Sequence, residues 1–233
     1  MSTNRRMAAG AGRGHDGARR LRQGLVLLHE DADVLVVDKS AGLLSIATGT
    51  EQERTVYWIL AEYLRTRGEK RRPAMVHRLD RDTSGLMVLA KSEEMKKRFM
   101  EHWGELVIER RYLALAEGRL AQEGDVGVIN LPLGEDAGGR VVAAPGGIPA
   151  VTHWEVLRCS GTHTLLALHL DTGRRNQIRA HLAALGHPVS GDAKYHARSD
   201  PLKRLALHAE TLAFYHPRTS RPLRFTSPVD WHV

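Results

Sequence analysis

The 233 residues specify an α+β fold in which a mixed, largely antiparallel β-sheet carries flanking helices. Three observations predict it. Short apolar runs outnumber segments with helical spacing. Those runs are joined by a mixture of tight turns and longer crossovers, which suits a mixed sheet with helices packed on it. Hydrophobic content of 42% and charged content of 26% are globular values, and the length suffices for one domain with a real core.

The elements follow in chain order. Residues 1–22 read as a disordered basic arm, because they contain little that repays the entropy of ordering. Within them Gly10-Ala11-Gly12-Arg13-Gly14 looks superficially like a phosphate loop, but it lacks the preceding apolar strand and the following helix. Leu25–Leu28 and Val34–Val37, separated by a polar pentapeptide, form a hairpin. Val56, Ile59, Leu60 and Tyr63 recur at helical spacing, predicting a helix over 55–67 with Thr55 as its cap. Gly68 to Pro73 is a basic connection. Leu86–Ala90 is a buried strand. Ser92 caps a helix that opens on Glu93 and Glu94 and later carries Lys96, Lys97 and Arg98, an order that complements the helix dipole. Tyr112–Ala116 is a strand, and the glycine-rich stretch 118–150 is a hairpin or mobile excursion. Val151–Leu157 and Leu165–Leu170 are strands. A helix over 176–185 is stopped by Gly186 with Pro188 beyond it. Leu205–Tyr215 and Leu223–Thr226 close the sheet.

The densest chemistry lies in His77-Arg78-Leu79-Asp80-Arg81-Asp82-Thr83-Ser84-Gly85, where two carboxylates sit among three basic groups between apolar flanks. Charges are rarely placed at the edge of a core unless they pair or do chemistry. This segment resembles the signature of the RluA-type pseudouridine synthases: a His-Arg-Leu-Asp core, a short polar turn and Ser-Gly. The likeness continues in order along residues 25 to 225. It includes Val34–Lys39 with Gly42-Leu43, Arg111-Tyr112-Leu113-Ala114 with Glu117-Gly118, Gly173–Leu182 with Gly186-His187-Pro188 and Gly191-Asp192, and Leu207-His208-Ala209 with His216-Pro217.

The resemblance implies one catalytic domain over 23–233 with a cleft across the sheet. It implies isomerisation of uridine to pseudouridine in rRNA or tRNA, without metal or cofactor. The chemistry needs the uridine flipped out, a carboxylate to labilise the glycosidic bond, a hold on the detached base, and one proton managed at C5. Asp80 matches the family's carboxylate and acts as nucleophile or as base. Arg179 matches the arginine of the Gln-Ile-Arg segment and is the expected cationic partner that keeps Asp80 ionised. Tyr112 matches the family tyrosine, whose ring stacks on the uracil and whose hydroxyl helps move the C5 proton. RNA contact is expected from Arg78, His77, Arg81, Arg174 and Arg175. Arg78 fills the gap left by the flipped base or holds phosphate. His77, His208 and His216 read otherwise as scaffold histidines, and Asp82 as a structural carboxylate. Many relatives carry a small S4-like RNA-binding domain ahead of this one, for which the region before residue 25 is too short. Two departures stand out. Ser40 replaces a usual proline and should loosen a turn. Arg175-Asn176 stands where Thr-His is common.

Charge and composition bound the partners. The formal net charge is +7 with a pI of about 9.8, which favours a polyanion such as RNA. Residues 1–22 hold six arginines against Asp16 alone, a net +5, so the body is only mildly basic. Cys159 is the single cysteine, which excludes an internal disulfide or thiolate cluster and suits a reducing cytoplasm. The thirteen histidines show no zinc-ligand spacing. No apolar run reaches the roughly 18 residues of a membrane span. A stem-loop of RNA as partner and a monomeric state complete the expectation. A non-catalytic RNA-binding protein on the same fold explains the basic arm but not Asp80, Tyr112 and Arg179 together. A glycoside-type hydrolase would use Asp80 and Asp82, which lie too close along one turn to flank a sugar.

Overall fold

The computed structural model describes residues 17–47 and 54–231. Among them, eleven strands form one sheet and two more form a small separate hairpin. In chain order the elements are β1 (Arg19–Arg20), β2 (Val26–Glu30), β3 (Val34–Lys39), α1 (Val56–Thr66), β4 (Ala74–Met75), β5 (Ser84–Ala90), α2 (Glu93–Glu101), α3 (Trp103–Leu106), β6 (Val107–Glu117), β7 (Val126–Asn130), β8 (Leu133–Glu135), β9 (Val141–Ala143), β10 (Val151–Cys159), β11 (His163–Leu170), α4 (Gln177–Ala184), β12 (Leu207–Tyr215) and β13 (Pro222–Thr226).

The sheet runs β1-β2-β3-β5-β12-β6-β11-β10-β7, with β4 on β5 and β13 on β12. Every pairing is antiparallel except one: β12 meets β5 in parallel through only two pairs, His208 with Ser84 and Ala209 with Gly85. The rest of that edge of β12 is taken by β13 over Thr211–Tyr215. Two half-sheets are therefore welded at Ser84-Gly85. The weld requires glycine. Gly85 has φ +111°, and a Cβ there would lie 2.2 Å from the carbonyl oxygen of Ala209.

Strand alternation puts Leu35, Val37, Met87 and Leu89 on one face, where α1 buries Ile59, Leu60 and Leu64 over them. Val34, Val36, Leu86 and Val88 point the other way, onto Phe99 of α2 and Phe214 and Phe225 of β12 and β13. Both predicted caps form. Thr55 accepts from the Trp58 N–H at 3.1 Å and Ser92 from the Met95 N–H at 3.1 Å.

Three expectations change. The expected arm does not extend to residue 22: Arg19 and Arg20 pair with Leu27 and Val26, because an open strand edge accepts a backbone whatever its side chains. Residues 1–16 lie outside the described residues. The stretch 118–150 divides into β7, which joins the main sheet beside β10, and the β8–β9 hairpin, which packs on α4 through Leu133, Val141 and Ala180. Ser40 does not loosen its turn. Its hydroxyl donates to the Gln23 carbonyl at 2.9 Å and ties the 22–24 turn to the end of β3.

Candidate active site

A cavity of about 370 Å³ opens where the weld meets α4. The turn between β4 and β5 brings His77, Arg78, Asp80 and Thr83 to it, β6 brings Arg110 and Tyr112, and the start of α4 brings Arg174, Asn176 and Arg179. Segments a hundred residues apart in sequence thus face one space.

The Asp80 turn is held from below. Thr83 N–H donates to the Asp80 carbonyl at 3.2 Å. Ser45 brackets Leu79, its hydroxyl donating to the Leu79 carbonyl at 2.6 Å while accepting from the Leu79 N–H at 3.2 Å. Lys39 is fully buried under the turn and donates through Nζ to the carbonyls of Ser40, Leu43 and Arg81 at 3.0, 2.8 and 2.8 Å. Burial pushes Lys39 down to about 8, with Asp82 and Asp80 opposing the shift. The sequence marked Lys39 only as part of an opening strand. Its role in the turn depends on the Arg81 carbonyl, 42 residues away.

Asp80 is mostly covered. Burial raises its pKa above the ordinary carboxylate value, while Arg179 and Arg78 pull the other way. Arg179 Nη1 stands 3.7 Å from Asp80 Oδ2, an ion pair outside hydrogen-bond range. The tight partner of Arg179 is a different carboxylate. Nε and Nη2 donate to Asp192 Oδ2 and Oδ1 at 2.6 and 2.8 Å, and Nη1 donates to Asn176 Oδ1 at 3.1 Å. The guanidinium also lies over the Tyr195 ring, 5.2 Å from its centroid. The expected Asp80–Arg179 pair is therefore one contact of a larger cluster. In sequence Gly191-Asp192 is only the tail of the segment that opens at Gly173, and nothing local to it signals a buried bidentate partner.

Tyr112 is 7% exposed and lines the cavity, between Ala209 of β12 and Leu168 of β11. Burial raises its phenol pKa, Arg110 opposes this and the Asp80 charge adds to it, so the hydroxyl enters any reaction neutral. Arg78 and Arg174 are exposed on the cavity wall. Arg110, missed in the sequence, reaches the same wall. It donates to the Leu170 carbonyl at 3.2 Å and lies 5.3 Å over Trp103.

Other expected RNA contacts sit differently. His77 lines the cavity, yet its Nε2 accepts the Val88 N–H at 3.1 Å, and burial with help from Arg110 pushes its pKa down to about 3. In this structure its ring is a neutral brace for β5 at the cavity edge. Arg175 turns away to Glu135 at 2.9 Å and the Gly139 carbonyl at 2.8 Å, on the β8–β9 hairpin. Arg81 and Asp82 are exposed and outside the cavity lining. His208 is buried in the weld. Its Nε2 donates to the Ser227 carbonyl at 2.7 Å, so its Nδ1 accepts from the Ser84 hydroxyl at 2.8 Å. Among the described residues no group of His, Cys, Asp and Glu has metal-site geometry, and no helix is long and apolar enough to cross a membrane.

A family model described as RNA pseudouridylate synthase matches residues 33–184. The chain is 35% identical over 207 residues to an uncharacterized RNA pseudouridine synthase of Bacillus subtilis (strain 168), YjbO, covering 88% of this chain and 72% of that one. It is 36% identical over 221 residues to ribosomal large subunit pseudouridine synthase D of Vibrio vulnificus (strain CMCP6), covering 88% of this chain and 67% of that one. Among solved structures, human RNA pseudouridylate synthase domain containing 1 superposes with a TM-score of 0.69 at 24% identity, over 87% of this chain and 82% of that one, which establishes likeness of fold.

Proposed function

From the premise that this chain belongs to the RNA pseudouridine synthase family and is an isomerase of uridine in RNA, we propose that Asp80, Tyr112 and Arg179 carry the reaction. The observation behind this reading is that all three line one cavity large enough for a nucleotide. The uridine leaves its stack and enters that cavity, with Arg78 at the wall compensating part of the cost of flipping, on the order of a few kcal/mol. The uracil stacks on the Tyr112 ring. The ionised Asp80 carboxylate, one oxygen facing Arg179, labilises the N1–C1′ bond as nucleophile or as base.

The detached base turns within the cavity and C5 forms the new bond to C1′. The C5 proton then leaves and N1 gains one, so the net proton count is unchanged. A shuttle suffices for this, and a neutral Tyr112 hydroxyl is suited to a shuttle rather than to a standing base. Ribosomal RNA presented as a stem-loop is the substrate we favour, in line with the named activity of the relatives, for a monomeric enzyme in the cytoplasm.

Asp80→Asn tests the assignment. The change keeps size and removes the charge, so isomerisation should vanish while RNA affinity stays within about threefold, since phosphate contacts dominate affinity. Site-resolved pseudouridine mapping of RNA with wild-type and variant protein is the measurement. Turnover above background by purified Asp80→Asn protein refutes the role of Asp80, and release of free uracil by wild type refutes isomerisation.

A further inference from the structure

Arg179 is the cation that faces Asp80, yet most of its hydrogen-bonding capacity is spent elsewhere. Its side chain is 9% exposed and that of Asp192 is 1% exposed. Asp192 takes the Nε–Nη2 edge in a bidentate pair, the strongest geometry a guanidinium offers. Asn176 takes Nη1. What remains for Asp80 is a 3.7 Å approach.

Each holder is fixed by its own backbone. Asp192 follows Gly191, which has φ +76° and whose Cβ position lies 2.1 Å from the Arg204 carbonyl oxygen, so only glycine fits there. The Asp192 carbonyl accepts from the N–H groups of Tyr195 and Ala197 at 3.0 and 3.1 Å. Tyr195, beneath the guanidinium, is tied through its hydroxyl to the Val141 carbonyl at 2.7 Å. Asn176 is buried with φ +53°, a left-handed conformation uncommon for a residue with a side chain. It makes no cap hydrogen bond to α4. Its carboxamide serves Arg179 instead, and backbone strain held by its surroundings marks functional positions.

We propose that Asp192, seconded by Asn176, is a positioning residue of the reaction: it holds Arg179 back from Asp80 and so keeps the Asp80 carboxylate charged but uncommitted. A carboxylate clamped bidentately by arginine is stabilised in its resting state and makes a poor nucleophile or base. A carboxylate with no cation nearby would take up a proton in this buried place. The division of Arg179 between two carboxylates avoids both. The charges that act most strongly on Asp80 are those of Arg179, Arg78 and Lys39, with the Tyr112 and Tyr195 phenols beside them and the Asp192 carboxylate behind Arg179. None of the others is anchored to a second buried carboxylate.

The inference rests on Asp80 as the reacting group, but its first readout does not require RNA. Protein labelled with 13C at the aspartate carboxyl carbons is titrated, with the Asp80 signal assigned by its loss in Asp80→Asn. Asp192→Asn removes a like charge and frees Arg179 to close on Asp80, so the Asp80 midpoint should fall by about one pH unit. Asn176→Asp adds a competing carboxylate at a position whose backbone aspartate tolerates, so the midpoint should rise by a similar amount. On a ribosomal RNA transcript that the wild type modifies, single-turnover rates in Asp192→Asn should drop at least tenfold, with the acid limb of the pH profile moved down and RNA affinity unchanged. A midpoint that stays put in Asn176→Asp, or moves down, overturns the proposal even where Asp192→Asn does not fold. So does full activity of a folded Asp192→Asn. Should Asp80→Asn prove active while the midpoints move in opposite directions, the charge division stands and the assignment of Asp80 falls.

Discussion

Gly85→Ala probes the weld between the half-sheets and its bearing on the site. The Cβ would meet the Ala209 oxygen at 2.2 Å and the Ala209 carbon and nitrogen at 2.7 Å, so the strands must part by about 0.8 Å to reach the 3.0 Å below which real Cβ atoms are essentially never found. None of these three atoms is the tip of a flexible side chain, so the backbone itself must give way. Holding alanine at φ +111° costs about 1–2 kcal/mol. Forcing the strands apart costs about 1–3 kcal/mol more. The sum of roughly 2–5 kcal/mol, at roughly 2–4 °C per kcal/mol for a domain of this size, lowers Tm by roughly 4–20 °C.

Activity should suffer beyond stability. Gly85 pairs with Ala209, and Ala209 pairs with Tyr112, so one row across three strands links the Asp80 turn to the tyrosine. A displacement near an ångström along that row costs up to about a hundredfold in rate. Gly146→Ala is the control. Its φ is +77° and nothing lies within 4 Å of its Cβ position, so it pays the backbone term alone. Thermal melts and single-turnover rates are compared for both variants. Equal losses in Tm and rate for Gly85→Ala and Gly146→Ala would refute the close-approach argument.

Lys39→Met leaves three turn carbonyls without their donor and should lower both stability and activity. Because Lys39 titrates near 8 in the folded chain and at about 10.4 when unfolded, the unfolded state binds more protons between those values, and the Lys39 contribution rises with pH across that window. Urea melts from pH 7 to 10.5 should therefore show the gap between wild type and Lys39→Met widening with pH, and a constant gap contradicts this. Tyr112→Phe should bind RNA nearly as wild type but slow single-turnover isomerisation by orders of magnitude, whereas Tyr112→Ala also loses about 1–3 kcal/mol of stacking; a fully active Phe variant beside a strongly destabilised Ala variant returns Tyr112 to the scaffold. Thr83 Oγ1 is buried with no hydrogen-bond partner among the described residues. Thr83→Val should thus raise stability by about 1 kcal/mol in urea unfolding, and a loss of that size would mean the hydroxyl is satisfied in solution.

What could be read from the chain was whatever depends on near neighbours. Helix α1 with its Thr55 cap, the acidic-to-basic order of α2, the β2–β3 hairpin and the polar turn around Asp80 are each set by a few adjacent residues, through periodicity, capping and turn chemistry. The ordered motifs also named four of the residues that line the cavity: Asp80, Tyr112, Arg179 and Arg78. Tertiary structure decided the rest. Pairing at an open strand edge needs only backbone, so Arg19-Arg20 became a strand without an apolar signal of its own, and Val126–Asn130 joined the sheet with Val126 and Val128 left exposed. Arg175 reads like a cleft residue in sequence, but a carboxylate on a distant hairpin draws it off. The environments of Lys39, His77 and Arg179 arise from burial and from partners outside their own turn or helix, from 11 to 42 residues away. Residue order encodes which side chains are present near the cleft; only the closed sheet sets the distances that decide which carboxylate Arg179 holds and which it merely faces.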